Sequence, residues 1–201
     1  MPEGYEYDLF ISYSRKGTCR TWVTQMLLNN LIASLEDQLP NPVTYFIDEE
    51  IQPGAIWEER IRGKLMASKV ALCIWSPAYF QSDWCMAEWK SMERRQELLT
   101  NVRPEFADSP VLFPVIYSNG DYFPADAQGT QYSRMFIEDP ELLNHVEAFK
   151  QSVKYAELAS RTRKLAEQLA IRIAHAPPFQ SGWPWVRPLS LQPPLIDKPK
   201  M

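Results

Sequence analysis

Glu88 lies in the octapeptide SDWCMAEW, residues 82–89, four residues after Trp84. If this stretch is helical, the carboxylate and the indole lie one turn apart on the same helix face. Cys85 and Trp89 then lie on the neighbouring apolar face, which suits packing against other elements. A carboxylate beside an aromatic ring can act on a flat, cationic ligand. The alternative is an ordinary solvated glutamate on a helix surface.

A second group of polar residues follows the first predicted strand, YDLFISY at 7–13. Ser14, Arg15, Lys16 and Gly17 combine a hydroxyl, two cations and a glycine ahead of a predicted helix. Such a loop is suited to binding phosphate groups, because backbone N–H groups and positive charge converge there. The alternative is an ordinary strand-to-helix turn. The sequence contains no GxGxxG motif, so Rossmann-type dinucleotide binding is not expected.

An alternation of apolar strands and amphipathic helices surrounds these residues. Strands are predicted at 7–13, 43–47, 70–75, 111–117 and 134–137, and helices at 18–39, 55–67, 83–99 and 140–174. This order predicts an α/β fold with a doubly wound parallel sheet. Such sheets bind ligands at the carboxyl ends of their strands, which makes the loops 12–17, 48–57 and 76–84 the candidate site.

Three local features lead to further expectations. Pro114 has no N–H, so we expect it at a bulge or on the unpaired side of its strand. Asp83 is the predicted N-cap of the helix that carries Glu88. Seven of the 17 prolines follow Ala176, together with Trp183 and Trp185. The end of the chain is therefore either a flexible, polyproline-like segment or partly packed on the domain.

Composition limits the possible functions. With 201 residues and 45% hydrophobic residues, the chain can form one folded domain. A net charge of −4 and a pI near 5.3 provide no basic surface, so we expect no direct nucleic-acid partner. No apolar run of about 18 residues and no signal peptide is present, so we expect no membrane partner. Three widely spaced cysteines suit a reducing cytoplasm, and no pattern of metal ligands appears.

Three segments resemble the successive sequence boxes of a TIR (Toll/interleukin-1 receptor) domain of the bacterial, NAD-cleaving type. They are YDLFISYSRKG, DEEIQPGAIWEERI and SPAYFQSDWCMAEW, and the resemblance covers roughly residues 5–175. It implies the TIR fold, a flavodoxin-like three-layer α/β fold with a five-stranded parallel sheet flanked by helices. We therefore expect a TIR domain at 1–175 and a Pro/Trp-rich tail or linker at 176–201.

The resemblance also implies a function and its residues. Enzymatic TIR domains cleave the nicotinamide–ribose bond of NAD+ with the glutamate of a WCxxE motif, which here is Glu88. Trp84 matches the residue that stacks on the ligand. Phe10 and Ser12 would line the nicotinamide or ribose pocket. Trp57 is either a wall of the pocket or a core residue. With the loop residues Ser14, Arg15 and Lys16, these residues form the predicted NAD+ site, with NAD+ as substrate and no other cofactor or metal.

The acidic loop 48–54, DEEIQPG, resembles the loop through which TIR domains assemble. Asp48, Ile51 and Pro53 are its predicted contact residues, and other TIR copies are the expected partners. The resemblance implies a cytoplasmic enzyme of antiphage immunity that depletes NAD+ or makes an ADP-ribose-derived signal, with a separate sensor or effector protein as a possible partner. The alternative is a TIR adaptor without enzymatic activity.

Overall fold

Five parallel strands form one sheet in the order β2-β1-β3-β4-β5. The computed structural model describes residues 3–47, 55–107, 109–118, 120–128, 130, 133–135 and 143–191, without the side chains of 55 and 56. The strands are β1 (Tyr7–Tyr13), β2 (Tyr45–Ile47), β3 (Ser68–Trp75), β4 (Leu112–Ile116) and β5 (Ser133–Arg134). The predicted flavodoxin-like α/β fold with a five-stranded parallel sheet is therefore confirmed.

Helices lie on both faces of this sheet. The first, α1, is built from Cys19–Thr21, a π-helical part Trp22–Leu27 and Leu28–Glu36. The others are α2 (Ala55–Met66), α3 (Pro77–Phe80), α4 (Asp83–Val102), α5 (Ala125–Gln128), α6 (Val146–Lys150) and α7 (Val153–Ala174), with short 3-10 turns at Pro104–Ala107 and Leu189–Leu191. None of the helices in the described ranges is long and apolar enough to cross a membrane.

The core has two halves, one on each face of the sheet, because successive strand residues point to opposite faces. In β1, Leu9 and Ile11 pack into the half that contains α1 and α7. Phe10, between them, packs into the half that contains α2 and α4. Ser12 follows Phe10 at the next alternate position, and its register partner in β3 is Cys73. Ser12 therefore faces α4, the helix that carries Glu88.

Pro114 has no N–H to donate, but the hydrogen bonds between β3 and β4 do not require one at this position. On either side of it, Val111 O accepts from Ala71 N and Tyr117 N donates to Trp75 O. Because alternate residues of a parallel strand bond to the same neighbour, Pro114 faces away from β3. On that far side, the described residues of β5 pair with Val115 and Ile116. For the described residues, the expectation of an unpaired position is confirmed.

The last predicted helix is broken, which corrects the prediction of one continuous helix. Its first part, α6, ends at Lys150, and α7 begins after Ser152, whose side chain accepts a hydrogen bond from Tyr155 N at 3.3 Å. A serine with extended backbone dihedrals and this hydrogen bond is a helix N-cap, and it restarts the helix after a turn. In the sequence the apolar residues keep helical spacing across the break, although Val153 directly after it is 76% exposed, so periodicity alone did not reveal the break. Pro140, the predicted helix start, lies outside the described residues.

The C-terminal segment, residues 177–191, lies against α2 and α4. Trp185 Nε1 donates to Glu58 Oε1 of α2 at 3.1 Å. The backbone N–H of Val186 donates to Ser91 Oγ of α4 at 2.8 Å. The segment thus contacts both helices, α2 and α4, which lie on the Phe10 face of the sheet. Residues 192–201 lie outside the described residues, and the domain boundary at residue 175 stays a prediction.

Candidate active site

The start of α4 sets the position of Glu88. Ser82 has extended backbone dihedrals, and its side chain accepts a hydrogen bond from Cys85 N at 3.4 Å. Ser82 is therefore the N-cap, and the prediction that Asp83 fills this position is wrong by one residue. Asp83 is the first helical residue, and its carboxylate accepts a hydrogen bond from Ser190 N at 3.2 Å. Glu88 follows in the second turn, where the helix turns it towards the sheet.

Glu88 is a buried carboxylate, with 6% of its surface exposed. Its Oε2 accepts a hydrogen bond from Ser12 Oγ at 2.5 Å. Burial of a carboxylate is costly unless hydrogen bonds compensate for lost water, so Ser12 provides part of the compensation. The alternative of a solvated surface glutamate does not apply to this structure. Cys85 and Trp89 are buried on the neighbouring face, as the helical spacing predicted.

Tyr79 of α3 is a part of this site that the sequence interpretation did not identify. Its hydroxyl lies 2.9 Å from Ser12 Oγ, and the whole side chain is buried. Burial raises the pKa of Tyr79 well above its ordinary value, so the hydroxyl keeps its proton. A signal was present: Ser76-Pro77 is a helix-start pair, and Ser76 Oγ accepts from Tyr79 N at 3.2 Å.

These side chains meet at the point where the strand order reverses. The chain moves from β1 to β2 on one side and then to β3 on the other side of β1. The carboxyl ends of β1 and β3 therefore border the crevice where doubly wound sheets bind ligands. Ser12 comes from the end of β1, Tyr79 follows β3, and Glu88 approaches from α4. The structure thus brings Ser12 and Glu88, two of the predicted site residues, into direct contact.

The first loop forms a tight turn beside this crevice. Ser14 is buried, and its hydroxyl oxygen lies 3.4 Å from Lys16 N. Gly17 has a φ of 65°, a left-handed conformation that favours glycine. Arg15 is half-buried and Lys16 is exposed. The loop therefore presents positive charge at the carboxyl end of β1, although binding of a phosphate by Ser14, Arg15 and Lys16 stays a prediction.

The aromatic residues of the predicted site differ in their accessibility. Trp84 is half-buried, one helical turn before Glu88. Phe10 is fully buried and stacks on Phe46 with a centroid distance of 5.4 Å. Trp57 is 6% exposed, and Arg60 lies over its ring at 5.4 Å. In this structure Trp57 packs as a core residue, and the contacts of all three predicted residues with a ligand stay predictions.

The predicted assembly residues Asp48, Ile51 and Pro53 lie outside the described residues. Their role in contacts between copies of the chain therefore stays a prediction.

Comparison with known proteins gives one family match and one curated relative. The family model described as the TIR domain matches residues 9–145. BdTIR, a probable 2′ cyclic ADP-D-ribose synthase from Brachypodium distachyon, is 26% identical over 129 residues, which make up 63% of this chain and 54% of that protein. The chain therefore spans about half the length of this curated relative.

Two solved structures are similar at low sequence identity. The TIR domain of the Toll-related receptor TRR-2 from Hydra magnipapillata is 18% identical with a TM-score of 0.41, and the match covers 78% of this chain and 98% of that chain. The TIR domains of the activated Roq1 resistosome, which recognises the pathogen effector XopQ, are 17% identical with a TM-score of 0.35, covering 83% and 84%. Both TM-scores are below 0.5, so neither likeness supports an argument about this chain.

Proposed function

This chain belongs to the TIR domain family, and we propose that it is an enzyme that cleaves the nicotinamide–ribose bond of NAD+. The observation that carries the proposal is the buried carboxylate of Glu88, held by Ser12 where the strand order reverses. The similarity to a probable 2′ cyclic ADP-D-ribose synthase supports a substrate that contains ADP-ribose, as NAD+ does. Glu88 is the proposed catalytic residue.

The proposed reaction requires little beyond such a carboxylate. Nicotinamide leaves NAD+ from a positively charged nitrogen, so its departure needs no general acid. The ribose carbon then acquires oxocarbenium character, as in glycoside cleavage, and a nearby carboxylate stabilises that positive charge. Water, or a group on the ADP-ribose itself, then bonds to this carbon and releases a proton. Because Glu88 is buried, water screens this attraction only weakly. Trp84, one turn away, would stack on the flat nicotinamide or adenine ring.

The first loop would bind the other end of the substrate. The cations of Arg15 and Lys16 and the hydroxyl of Ser14 are suited to the diphosphate of NAD+. This assignment places the diphosphate at the end of β1 and the scissile bond near Glu88. Ser12 would complete the proposed NAD+ site, with Phe10 and Trp57, which are core residues in this structure, bordering it from behind.

The proposal includes activation by self-assembly through the loop with Asp48, Ile51 and Pro53. In the cell, cleavage would deplete NAD+ or produce an ADP-ribose-derived signal for antiphage immunity in the cytoplasm. A separate sensor protein would act on the chain through assembly, or a separate effector protein would respond to that product.

The direct test is incubation of the concentrated protein with NAD+, followed by chromatography with mass detection of the products. We expect release of nicotinamide together with ADP-ribose or a cyclic isomer. Glu88→Gln keeps the size of the side chain and removes the charge, so nicotinamide release should fall about a hundredfold or more.

Glu97→Gln is the matched control, because Glu97 lies on the same helix and is exposed. It should leave the rate unchanged, and circular dichroism should show that both variants are folded. Full activity in Glu88→Gln would refute the catalytic role. Absence of turnover in the wild-type protein, also when crowding agents promote assembly, would favour the adaptor alternative.

A further inference from the structure

Two buried hydroxyl groups in series connect two further elements, α3 and β1, to Glu88 of α4. Tyr79 OH of α3 lies 2.9 Å from Ser12 Oγ of β1, which lies 2.5 Å from Glu88 Oε2 of α4. All three side chains are buried. We name this set, Tyr79, Ser12 and Glu88, the hydroxyl chain. Two of its members were predicted site residues, whereas Tyr79 has no role in the chemistry described above.

The direction of each hydrogen bond follows from the groups involved. An ionised carboxylate only accepts, so the single proton of Ser12 Oγ is donated to Glu88. Ser12 can then only accept from Tyr79, whose own proton is thereby committed. Cys73 is buried and hydrogen-bonded to both Tyr79 and Ser12, and because both hydroxyl protons are already donated, its thiol can act only as a donor to one of these two oxygens. Every donor of the hydroxyl chain therefore points towards the carboxylate.

This common direction has a consequence for Glu88. Hydrogen bonds in series polarise one another, so the Ser12 bond is stronger when Tyr79 donates to Ser12. A hydrogen bond to the charged form of an acid favours that form. The bond also restricts the orientation of the carboxylate, because its donor Ser12 belongs to β1, which lies inside the sheet between β2 and β3.

The anchoring of Tyr79 is consistent with a role in positioning. Its backbone N–H is bound by Ser76 Oγ at the cap of α3, and its ring meets Phe80 edge-on at 5.5 Å. The phenol is fully buried, and its hydroxyl lies beside Ser12 at the end of the sheet. A tyrosine that only filled space would not require the hydroxyl group, and phenylalanine would serve equally well.

We infer that Tyr79 is a positioning residue which, through Ser12, holds Glu88 ionised and correctly oriented for the cleavage of NAD+. This inference rests on the proposed function for its catalytic consequence. The state and orientation of the carboxylate do not depend on whether NAD+ is the substrate. They can therefore be measured separately from turnover.

Tyr79→Phe removes the hydroxyl and keeps the ring. In the assay of nicotinamide release we expect kcat to fall about tenfold with little change in KM. The acid limb of the pH profile of kcat should move to higher pH, because Glu88 loses stabilisation of its charged form. Tyr155→Phe is the matched control: its hydroxyl also has a hydrogen bond, from Asn30 Nδ2 at 3.0 Å, but on the other face of the sheet.

Other titratable groups lie near Glu88 in the described part of the chain, and their own titration must not fall on the acid limb of the pH profile. Among them are Tyr79 from α3, Cys73 from β3 and Cys85 from α4 itself. Burial raises the pKa of each of them above its ordinary value, and all three stay neutral at and below pH 8. These three groups therefore do not contribute to the acid limb, and the direct titration of Glu88 described below assigns its shift.

A double-variant cycle separates positioning from a merely structural role. If Tyr79 acts through Ser12, Tyr79→Phe should reduce kcat about tenfold in the wild type and less than about twofold when Ser12→Ala is already present. Equal losses in both backgrounds would overturn the inference. The same cycle also covers the case in which Tyr79→Phe lowers stability, since a structural loss would appear in both backgrounds.

A carbon-detected NMR titration of the glutamate carboxyl groups measures the hydroxyl chain without turnover, with Glu88→Gln identifying the Glu88 signal. Tyr79→Phe should raise the pKa of Glu88, and Tyr155→Phe should not. An unchanged Glu88 titration in Tyr79→Phe overturns the inference whatever the activity. If the wild type releases no nicotinamide but the titration shifts, the proposed function fails and the hydroxyl chain stands.

Discussion

The helix α4 carries two buried charged residues, Glu88 and Arg95, whose surroundings differ. They are seven residues apart, which is about two helical turns, so both face the sheet. Glu88 is held by the hydroxyl of Ser12 near the carboxyl end of β1. Arg95 donates to the carbonyl oxygen of Ser68, the first residue of β3, at 2.9 Å. One helix therefore brings a buried anion to one end of the sheet and a buried cation to the other.

Aromatic rings take the place of a counterion at Arg95. The guanidinium lies 4.2 Å from the ring centroid of Trp183 and 5.4 Å from that of Tyr5, and it donates to Tyr5 OH at 2.5 Å. Within the part of the chain that the structure describes, no carboxylate pairs with it. Burial lowers the pKa of Arg95 to about 10, which still leaves the group charged at neutral pH.

The different surroundings of Glu88 and Arg95 indicate different roles, in the reaction for Glu88 and in stability for Arg95. Ligands bind at the carboxyl ends of doubly wound strands, and Glu88 has hydroxyl partners there that orient a carboxylate. Arg95 lies at the opposite end and joins both ends of the chain, since Tyr5 precedes β1 and Trp183 belongs to the C-terminal segment. We therefore expect changes near Arg95 to alter stability and changes near Glu88 to alter turnover.

Trp183→Ala should give the largest loss of stability. The indole is buried and covers the Arg95 guanidinium, so its removal leaves a cavity and exposes the cation. The free energy of unfolding in urea should fall by about 3 kcal/mol or more. At a temperature where the variant is folded, kcat for NAD+ cleavage should change less than about twofold.

Leu189→Ala serves as the control for Trp183→Ala, because Leu189 belongs to the same segment and is largely exposed. Its effect on stability should stay within about 0.5 kcal/mol. A selective loss of kcat in folded Trp183→Ala would break the comparison, because it would show that the Arg95 end also controls the site.

Arg95→Lys should have a smaller effect of the same kind. Lysine keeps the charge but loses the planar group that stacks on Trp183 while it binds Ser68 O and Tyr5 OH. We expect a loss of about 2 kcal/mol in the free energy of unfolding, with kcat unchanged. Arg94→Lys, at the exposed neighbouring position, should be neutral. Equal stability of the two variants would show that the rings contribute nothing.

Most of the fold could be predicted from the sequence, because strong local patterns determine it. The strands β1 and β3 are nearly continuous apolar runs. In α1 the apolar residues Trp22, Met26 and Leu31 follow helical spacing and are buried. The break before α7 was not predicted, because the single capping serine, Ser152, leaves the spacing of apolar residues in the sequence unchanged. Sequence patterns describe faces of elements better than they describe where an element restarts.

The candidate site was predictable only in part. The spacing of Trp84 and Glu88 identified a helix face, but the contact of Glu88 with Ser12 joins residues 76 positions apart. Tyr79 and Arg95 were missed for the same reason. A tyrosine after a helix cap and an arginine on an amphipathic helix normally reach solvent, and only the packing of distant elements shows that they are buried.

Buried thiols offer a final, smaller distinction between regions of the molecule. Burial raises the pKa of both Cys73 and Cys19 to about 12 from an ordinary value of 9.0. The folded thiol therefore keeps a proton that the unfolded thiol loses, so the stabilisation is complete below pH 9 and is lost as the pH rises towards 12. Each thiol should lower the free energy of unfolding by roughly 1 kcal/mol at pH 10 relative to neutral pH.

Cys73→Ala and Cys19→Ala should reduce this pH dependence equally, as urea unfolding at pH 7 and pH 10 would show. They should differ in turnover, because Cys73 is hydrogen-bonded to Tyr79 whereas Cys19 lies on the other face of the sheet. A thiol is a weak donor, so Cys73→Ala should lower kcat only about twofold, and Cys19→Ala should leave it unchanged. If both substitutions lowered kcat equally, the effect would come from packing, and the hydroxyl chain would end at Tyr79.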